Sequence, residues 1–378
     1  MKKILLLCDY FLPSVRAGGT VRSIAAFVNC LKTDFDITVV TRNHDLSVSE
    51  PFKEIHSDQP QQCDGYQILY LSSRHIIPGI YQLIKANHFD IIYLNSFVSL
   101  KFSIIPLIIT RLLKIKNSRI IISPHGELCS GALSIKPMRK KCYILFFKTF
   151  LSKGIEFLSA SSSEAKEIKA IHLTQNLTTL PNIPCQKTLT EIINHKKQNA
   201  IHIIFLSRIS KIKNLLGAID ILSHVKGVVY FDIYGPIEDN AYWEECAQNL
   251  RRLPENIHAT YKGECDPDNV LNTLKTYDLF FLPTYNENYG YVIVESLASA
   301  CPVLLSNQTP WHDLSEHHAG WEYPLTQPQL FAEKIDSLIA MNNEAYFLYK
   351  QGALNYYQNH IVNNFLADDY RTFFTRSQ

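Results

Sequence analysis

Short apolar runs recur along the chain, each followed by a polar or glycine-bearing loop and then by apolar residues at helical spacing. In the first half they are Lys3–Cys8, Asp36–Thr41, Gln67–Leu71, Ile91–Leu94, Arg119–Ser123 and Glu156–Ala160. A run that is apolar at nearly every position predicts a strand covered on both faces, as in a parallel sheet. Their alternation with helical stretches such as Thr20–Leu31 predicts a doubly wound α/β domain. Leu180–Pro184 closes that half, and Gln186–Asn199 is a polar connector. The pattern then starts over with Ile201–Ser207, Val228–Tyr234, His258–Lys262 and Leu279–Leu282. A chain of 378 residues exceeds the usual limit of one core, so two domains of similar build are expected. A last helical stretch, with aromatics at helical spacing, runs over Tyr346–Phe374.

Composition excludes more than it suggests. Apolar residues make up 46% and charged residues 19%, as in an ordinary globular protein. The longest apolar stretch, Phe102–Leu113, contains Pro106 and Arg111 and is too short to span a bilayer. The opening MKKILLLCDYF is broken by Asp9 and reads as a first strand rather than a signal peptide. Nine cysteines without a C-x-x-C pair fit reduced thiols in a cytoplasmic protein. The formal charge of +2 implies no strong overall field, and nucleic acid is not an expected partner. The charge is uneven, however. Residues 101–154 carry eleven Lys or Arg against the single acidic Glu127, while residues 187–360 carry thirteen against twenty. Within the basic part, Ile135–Gly154 interleaves Lys with aromatics, which suits either an edge-of-core helix with snorkelling Lys or contact with anionic lipid headgroups.

Candidate chemistry gathers at loops that follow strands. Asp278–Pro302 gives a strand, a loop with Asn286, Asn288 and Gly290, and a helix. The first helical amides have no intrahelical partner, so this corner suits an anion. Glu287 in the loop and Glu295 on the helix suit sugar hydroxyls, which donate hydrogen bonds, although a Glu pair read alone is equally a pair of surface charges. Together the corner reads as a place for a nucleotide-sugar. Arg208 and Lys213 follow the strand Ile201–Ser207, where cations suit a diphosphate. Gly18-Gly19 opens the first helix, and Gly235-Pro236 makes a sharp turn after another strand. His125 follows Arg119–Ser123, where open α/β sheets place ligands, and a structural His is the plain alternative. His312, His317 and His318 have no ligand spacing with Cys or carboxylates, and no metal is expected.

These elements resemble the retaining glycosyltransferases of family 4. The match rests on Glu287 and Glu295 as the E-x7-E signature, His125-Gly126, Gly18-Gly19, and Arg208 with Lys213 as a variant of Gly-Arg-x4-Lys in which Ser207 replaces Gly. Asn288-Tyr289-Gly290 stands where most relatives have Gly-Phe-Gly. The resemblance implies the GT-B fold, two facing Rossmann-like domains with a cleft between them. It further implies an acceptor domain over 1–185, a nucleotide-sugar domain over 186–360, and a terminal helix over about 361–378 packing back on the first. Arg208 and Lys213 would bind the diphosphate in place of a metal, and Glu287 the sugar hydroxyls. The amides of Asn288, Tyr289 and Gly290 would face sugar and diphosphate, Glu295 would hold the ribose, and His125 would touch the sugar near the reacting carbon. Gly18 and Gly19 would lie against donor phosphates or the acceptor, Gly235 would face the same cleft, and the backbone near Glu264–Cys265 would read the base. The implied activity is transfer of a hexose from a nucleotide-diphosphate sugar, with no cofactor. The implied acceptor is a glycan carried on undecaprenyl pyrophosphate at the cytoplasmic membrane face, as in lipopolysaccharide or capsule assembly. A nucleotide-sugar epimerase of the same fold would need further acid/base groups that are not found, and a non-catalytic binding subunit would be expected to lose some of these residues.

Overall fold

The structure is a computed structural model that describes residues 1–128, 137–184, 191–193, 196–363 and 367–376. The start of the basic stretch, Ile135 and Lys136, and much of the connector Gln186–Asn199, including the expected division at 185/186, lie outside the described residues. The chain separates into two compact units, Met1–Ile183 with Leu366–Gln378, and Pro184–Phe365.

Among the described residues the first unit holds eight strands: β1 (Lys3–Leu7), β2 (Asp36–Arg42), β3 (Pro60–Cys63), β4 (Tyr66–Leu71), β5 (Ile91–Leu94), β6 (Arg119–Ile122), β7 (Ile155–Ser159) and β8 (Leu177–Thr179). Their order is β3-β4-β2-β1-β5-β6-β7-β8, and every pairing is parallel except β3 with β4. The central strand β1 lies between β2 and β5, with Leu5, Leu6 and Leu7 fully buried. Helix Gly19–Leu31 buries Val21, Ile24, Phe27 and Leu31 on its inner face. The C-terminal helix Ala367–Thr375 belongs to this unit, where Phe374 meets Phe27 at 5.2 Å between ring centroids and Tyr370 donates to the Pro181 carbonyl at 3.0 Å.

In the second unit β9 (Ala200–Leu206), β10 (Val228–Tyr234), β11 (Ile257–Gly263), β12 (Leu279–Leu282), β13 (Val303–Ser306) and β14 (Gly320–Tyr323) form an all-parallel sheet in the order β11-β10-β9-β12-β13-β14. This is the doubly wound order, and both central strands are almost completely buried. The single helical stretch expected over Tyr346–Phe374 is divided. Helix Asn343–Tyr356 passes into a wide π-helical turn, Tyr357–Val362, in the second unit, and Ala367–Thr375 is a separate helix in the first. Asp368 and Asp369 in its opening turn suit a fresh helix N-terminus, which apolar spacing alone does not reveal.

Candidate functional site

The strand order of the second sheet reverses between β9 and β12, and ligands of open α/β sheets bind beyond the carboxyl ends of strands at such a point. The loops leaving these two strands are tied together by backbone and side-chain bonds. Tyr285 N and Thr284 Oγ1 both donate to the Ile212 carbonyl, at 2.8 and 2.9 Å. Asn214 sits in the left-handed region at φ 58°, caps helix Leu215–Ser223 by accepting from Gly217 N, and donates to the Pro283 carbonyl at 2.8 Å. These bonds set the ammonium of Lys213 2.5 Å from Glu287 Oε2, with both side chains largely shielded. Glu287 N in turn donates to the Gln308 carbonyl beyond β13, at 3.0 Å.

Gly290 precedes helix Tyr291–Ala298 at φ 76°, and a Cβ there would come within 2.6 Å of Ile293 Cδ1 and 2.9 Å of Glu287 Cγ. A side chain there would be strained at this φ and would push on both neighbours, which favours glycine. Asn288 is half-buried, Tyr289 is buried, and Trp311 Nε1 donates to the Tyr289 carbonyl at 2.5 Å. Glu295 lies on the helix and is 5% exposed. Arg208 is turned to the loop beyond β10, where its Nη1 reaches both oxygens of Glu238 at 2.8 Å. Gly235 opens that loop at φ 136°, with its backbone against the Ser207 carbonyl. Lys213, Glu287, Gly290 and Glu295 thus fall together at one end of the sheet, while Arg208 is held beside them by Glu238.

In the first unit the corresponding reversal lies between β1 and β5. The loop after β1 is organised by the buried Asp45, which accepts from Ser14 Oγ at 2.5 Å and from the amides of Val15 and Arg16. Burial alone would raise the Asp45 pKa, but these bonds and that of Leu46 N outweigh it and hold the carboxyl below its ordinary value. Gly18 then caps the first helix at φ 69°, and Gly19 is its first residue.

His125 follows β6 at φ 49° and its Nε2 lies 2.7 Å from Asn95 Oδ1, beyond β5. Loss of solvation lowers its pKa from 6.5 to about 4, so the ring is neutral near pH 7. Two carboxylates hold the turn around it. Glu127 accepts from Ser96 Oγ and from the amides of Phe97 and Val98, and burial pushes its pKa up. Glu164, 2% exposed, accepts from Gly126 N at 2.6 Å and Ala160 N at 2.7 Å. A small pocket beside the imidazole is lined by Ser23, Asn95, Ser123, Ser159, Asn182 and Tyr370.

Sequence reasoning missed Asn214, Glu238, Asp45, Asn95, Glu164 and the role of Trp311. Asn214 carried a readable signal, an Asn just before the apolar helix LLGAIDILS. Glu164 stands three residues after the helix-capping Ser161, a capping-box spacing, and bonds the nearby Ala160 N as well as the distant Gly126 N. The others act through partners distant in sequence.

Comparisons with known proteins bear on the same region. Residues 187–353 match the family described as Glycosyl transferases group 1. No curated protein matches the chain by sequence. Among solved structures, sucrose-phosphate synthase from Thermosynechococcus elongatus superposes with a TM-score of 0.74 at 14% identity over 99% of each chain. Anabaena HepE in complex with UDP-glucose gives 0.71 at 16% identity over 100% of each. WaaG, a glycosyltransferase involved in lipopolysaccharide biosynthesis, gives 0.66 at 11% over 99% of each. The two parallel α/β units are therefore those of the GT-B glycosyltransferase fold, and the second carries the group 1 glycosyltransferase match across the loops that hold Lys213 and Glu287.

Proposed function

We propose that the protein is a retaining, metal-independent glycosyltransferase that moves a hexose from a nucleoside-diphosphate sugar to a hydroxyl of a glycan acceptor. The observation that carries this reading is the Lys213–Glu287 pair, set between the two loops of the β9/β12 reversal and inside the group 1 match. An ammonium has three donors, so Lys213 can keep one on Glu287 while another meets a diphosphate oxygen. Arg208, turned from Glu238, adds a second cation. As the bond from the sugar carbon to the diphosphate breaks, the acceptor oxygen bonds to the same face of that carbon. The acceptor proton passes to the departing diphosphate oxygen. Charge builds on the diphosphate, so stabilising it with Lys213, Arg208 and helix amides is the main catalytic contribution. Glu287 accepts hydrogen bonds from sugar hydroxyls, and Glu295 holds the ribose.

The UDP-glucose complex of the HepE neighbour favours a UDP-sugar among possible donors. The WaaG neighbour and the basic residues 101–154 favour a lipid-linked acceptor, a glycan on undecaprenyl pyrophosphate, in lipopolysaccharide, O-antigen or capsule assembly at the cytoplasmic membrane face. A thermal-shift panel of UDP-, GDP-, ADP- and TDP-sugars, with and without EDTA, tests the donor. A ligand at a hundredfold excess over its Kd stabilises the fold by about 2.7 kcal/mol. One nucleotide standing out, unaffected by EDTA, supports the transferase, and no response to any of them rejects it.

A further inference from the structure

We infer that the outer face of helix Pro137–Phe146 and the π-helical turn Phe147–Leu151 is an insertion surface for an anionic lipid bilayer. The inward side of this segment is already satisfied: Phe147 and Tyr143 pack on Phe97 at 5.0 and 4.9 Å between centroids, and Leu151 is buried. A helix on a core has its polar residues outward. Here Met138, Leu145 and Phe150 face solvent at 75%, 67% and 67% exposure, and Phe146 pairs with Phe150 at 5.3 Å between centroids. The widened turn keeps these two rings together on the outside while Phe147 and Leu151 point in. Leu112, at 75% exposure, extends the apolar surface from the adjoining helix, whose Arg111 donates to the Leu151 carbonyl at 2.7 Å.

Charge chooses the occupant. Lys141, Lys148 and Lys153 are exposed around the aromatic pair, Lys114 and Lys116 follow Leu112, and residues 137–153 contain no Asp or Glu. A second copy of this face would set lysines against lysines across a two-fold axis, whereas anionic headgroups neutralise them with the rings at the acyl boundary. Among the described residues no helix is long and apolar enough to cross a membrane, so the contact is one of surface and shallow insertion. This surface serves the proposed transfer, on whose reading it rests, by holding the protein where a lipid-linked acceptor is found.

The test is co-sedimentation of the full chain with vesicles of phosphatidylcholine alone and of phosphatidylcholine mixed with phosphatidylglycerol. Beside it stand a Phe146→Ser/Phe150→Ser variant and a Lys141→Glu/Lys148→Glu variant, all at exposed positions. Binding is expected only to the mixed vesicles, to vanish in the lysine variant, and to fall about tenfold or more for each ring removed. Binding by the unaltered protein should survive in part at high salt, since apolar insertion is not screened. Absence of binding overturns the surface, as does binding that salt abolishes and the phenylalanine variant retains. A dimer in light scattering that becomes monomeric in the phenylalanine variant, without vesicle binding, also overturns it. Nucleotide-sugar thermal shifts on the same preparations keep the two readings apart. A retained shift without lipid binding rejects the surface and leaves the transferase, and lipid binding without a shift does the reverse.

Discussion

Lys213 Nζ lies 2.5 Å from Glu287 Oε2 although 74 residues separate them, and their side chains are 13% and 16% exposed. Each charge is thus partly desolvated and depends on the other. Removing one by Lys213→Ala or Glu287→Ala should cost about 1–3 kcal/mol in urea unfolding, because the survivor loses its partner. The double variant should cost less than the sum, since the second change removes an already uncompensated charge. Transfer should fall at least about a hundredfold in either single variant, the scale of losing a key electrostatic donor. A near-normal rate in either would remove this pair from the reaction.

Gly235 makes a different demand on the same corner. Its φ of 136° is outside the range of other residues, and a Cβ would land on the Ser207 carbonyl oxygen, inside van der Waals contact. Gly263, at φ 81°, has open space where a Cβ would stand. Gly263→Ala should therefore cost only backbone strain, about 1–2 kcal/mol. Gly235→Ala must push apart the loops after β9 and β10 and should cost more than about 4 kcal/mol. Thermal unfolding of the two variants side by side checks the order. Equal losses would mean that the two loops move freely past each other.

Most of the parallel strands were legible because burial on both faces leaves an unbroken apolar run, as in Leu279–Leu282, although the short parallel strands β8, β13 and β14 were not read from the sequence. The strand β3 was not, because an edge strand reading Pro60-Gln61-Gln62-Cys63 buries little and pairs on one side only. Its signal was the Asp64-Gly65 turn, with Gly65 at φ 81°. At the site, Lys213 and Glu287 could be named from position after a strand, but their pairing needs the reversal in strand order that brings β9 beside β12. The long-range bonds of Glu164 and Asp45 were invisible for another reason. Each accepts from an amide far away in sequence, Gly126 N for Glu164 and Val15 N for Asp45, and only the fold brings those amides to the carboxylate.

The His125 ring supplies a pH test. Its folded pKa of about 4 lies below the ordinary 6.5, so between these values the unfolded chain binds more protons than the native one. Stability should then rise with pH across that window, by up to about 1.4 kcal/mol per unit for one proton, and the contribution should be lost as pH falls from 6.5 towards 4. His125→Gln removes the titrating group and should flatten this part of the curve. Chemical unfolding of both proteins at several pH values measures the difference. Parallel curves would show that His125 titrates as it does in an unfolded chain.

Trp311 is the residue whose role at the site was least visible in the sequence. Its indole N–H donates to the Tyr289 carbonyl, its ring lies 5.4 Å from that of Tyr289, and Tyr289 in turn meets Tyr291 at 4.8 Å. The segment between Glu287 and Gly290 is therefore held from one side by Trp311 and from the other by the Lys213 pair. Trp311→Phe keeps a smaller aromatic ring and removes the donor, whose loss is worth about 1 kcal/mol, or roughly fivefold in donor affinity. Trp311→Ala removes the ring as well and should weaken donor binding further. Calorimetric Kd and steady-state kcat, read together, distinguish positioning from packing: a positioned loop loses affinity or rate in the Phe variant while thermal stability stays nearly constant. An unchanged Kd and kcat in that variant would leave the Gln308 and Pro283 carbonyl contacts as what holds the loop.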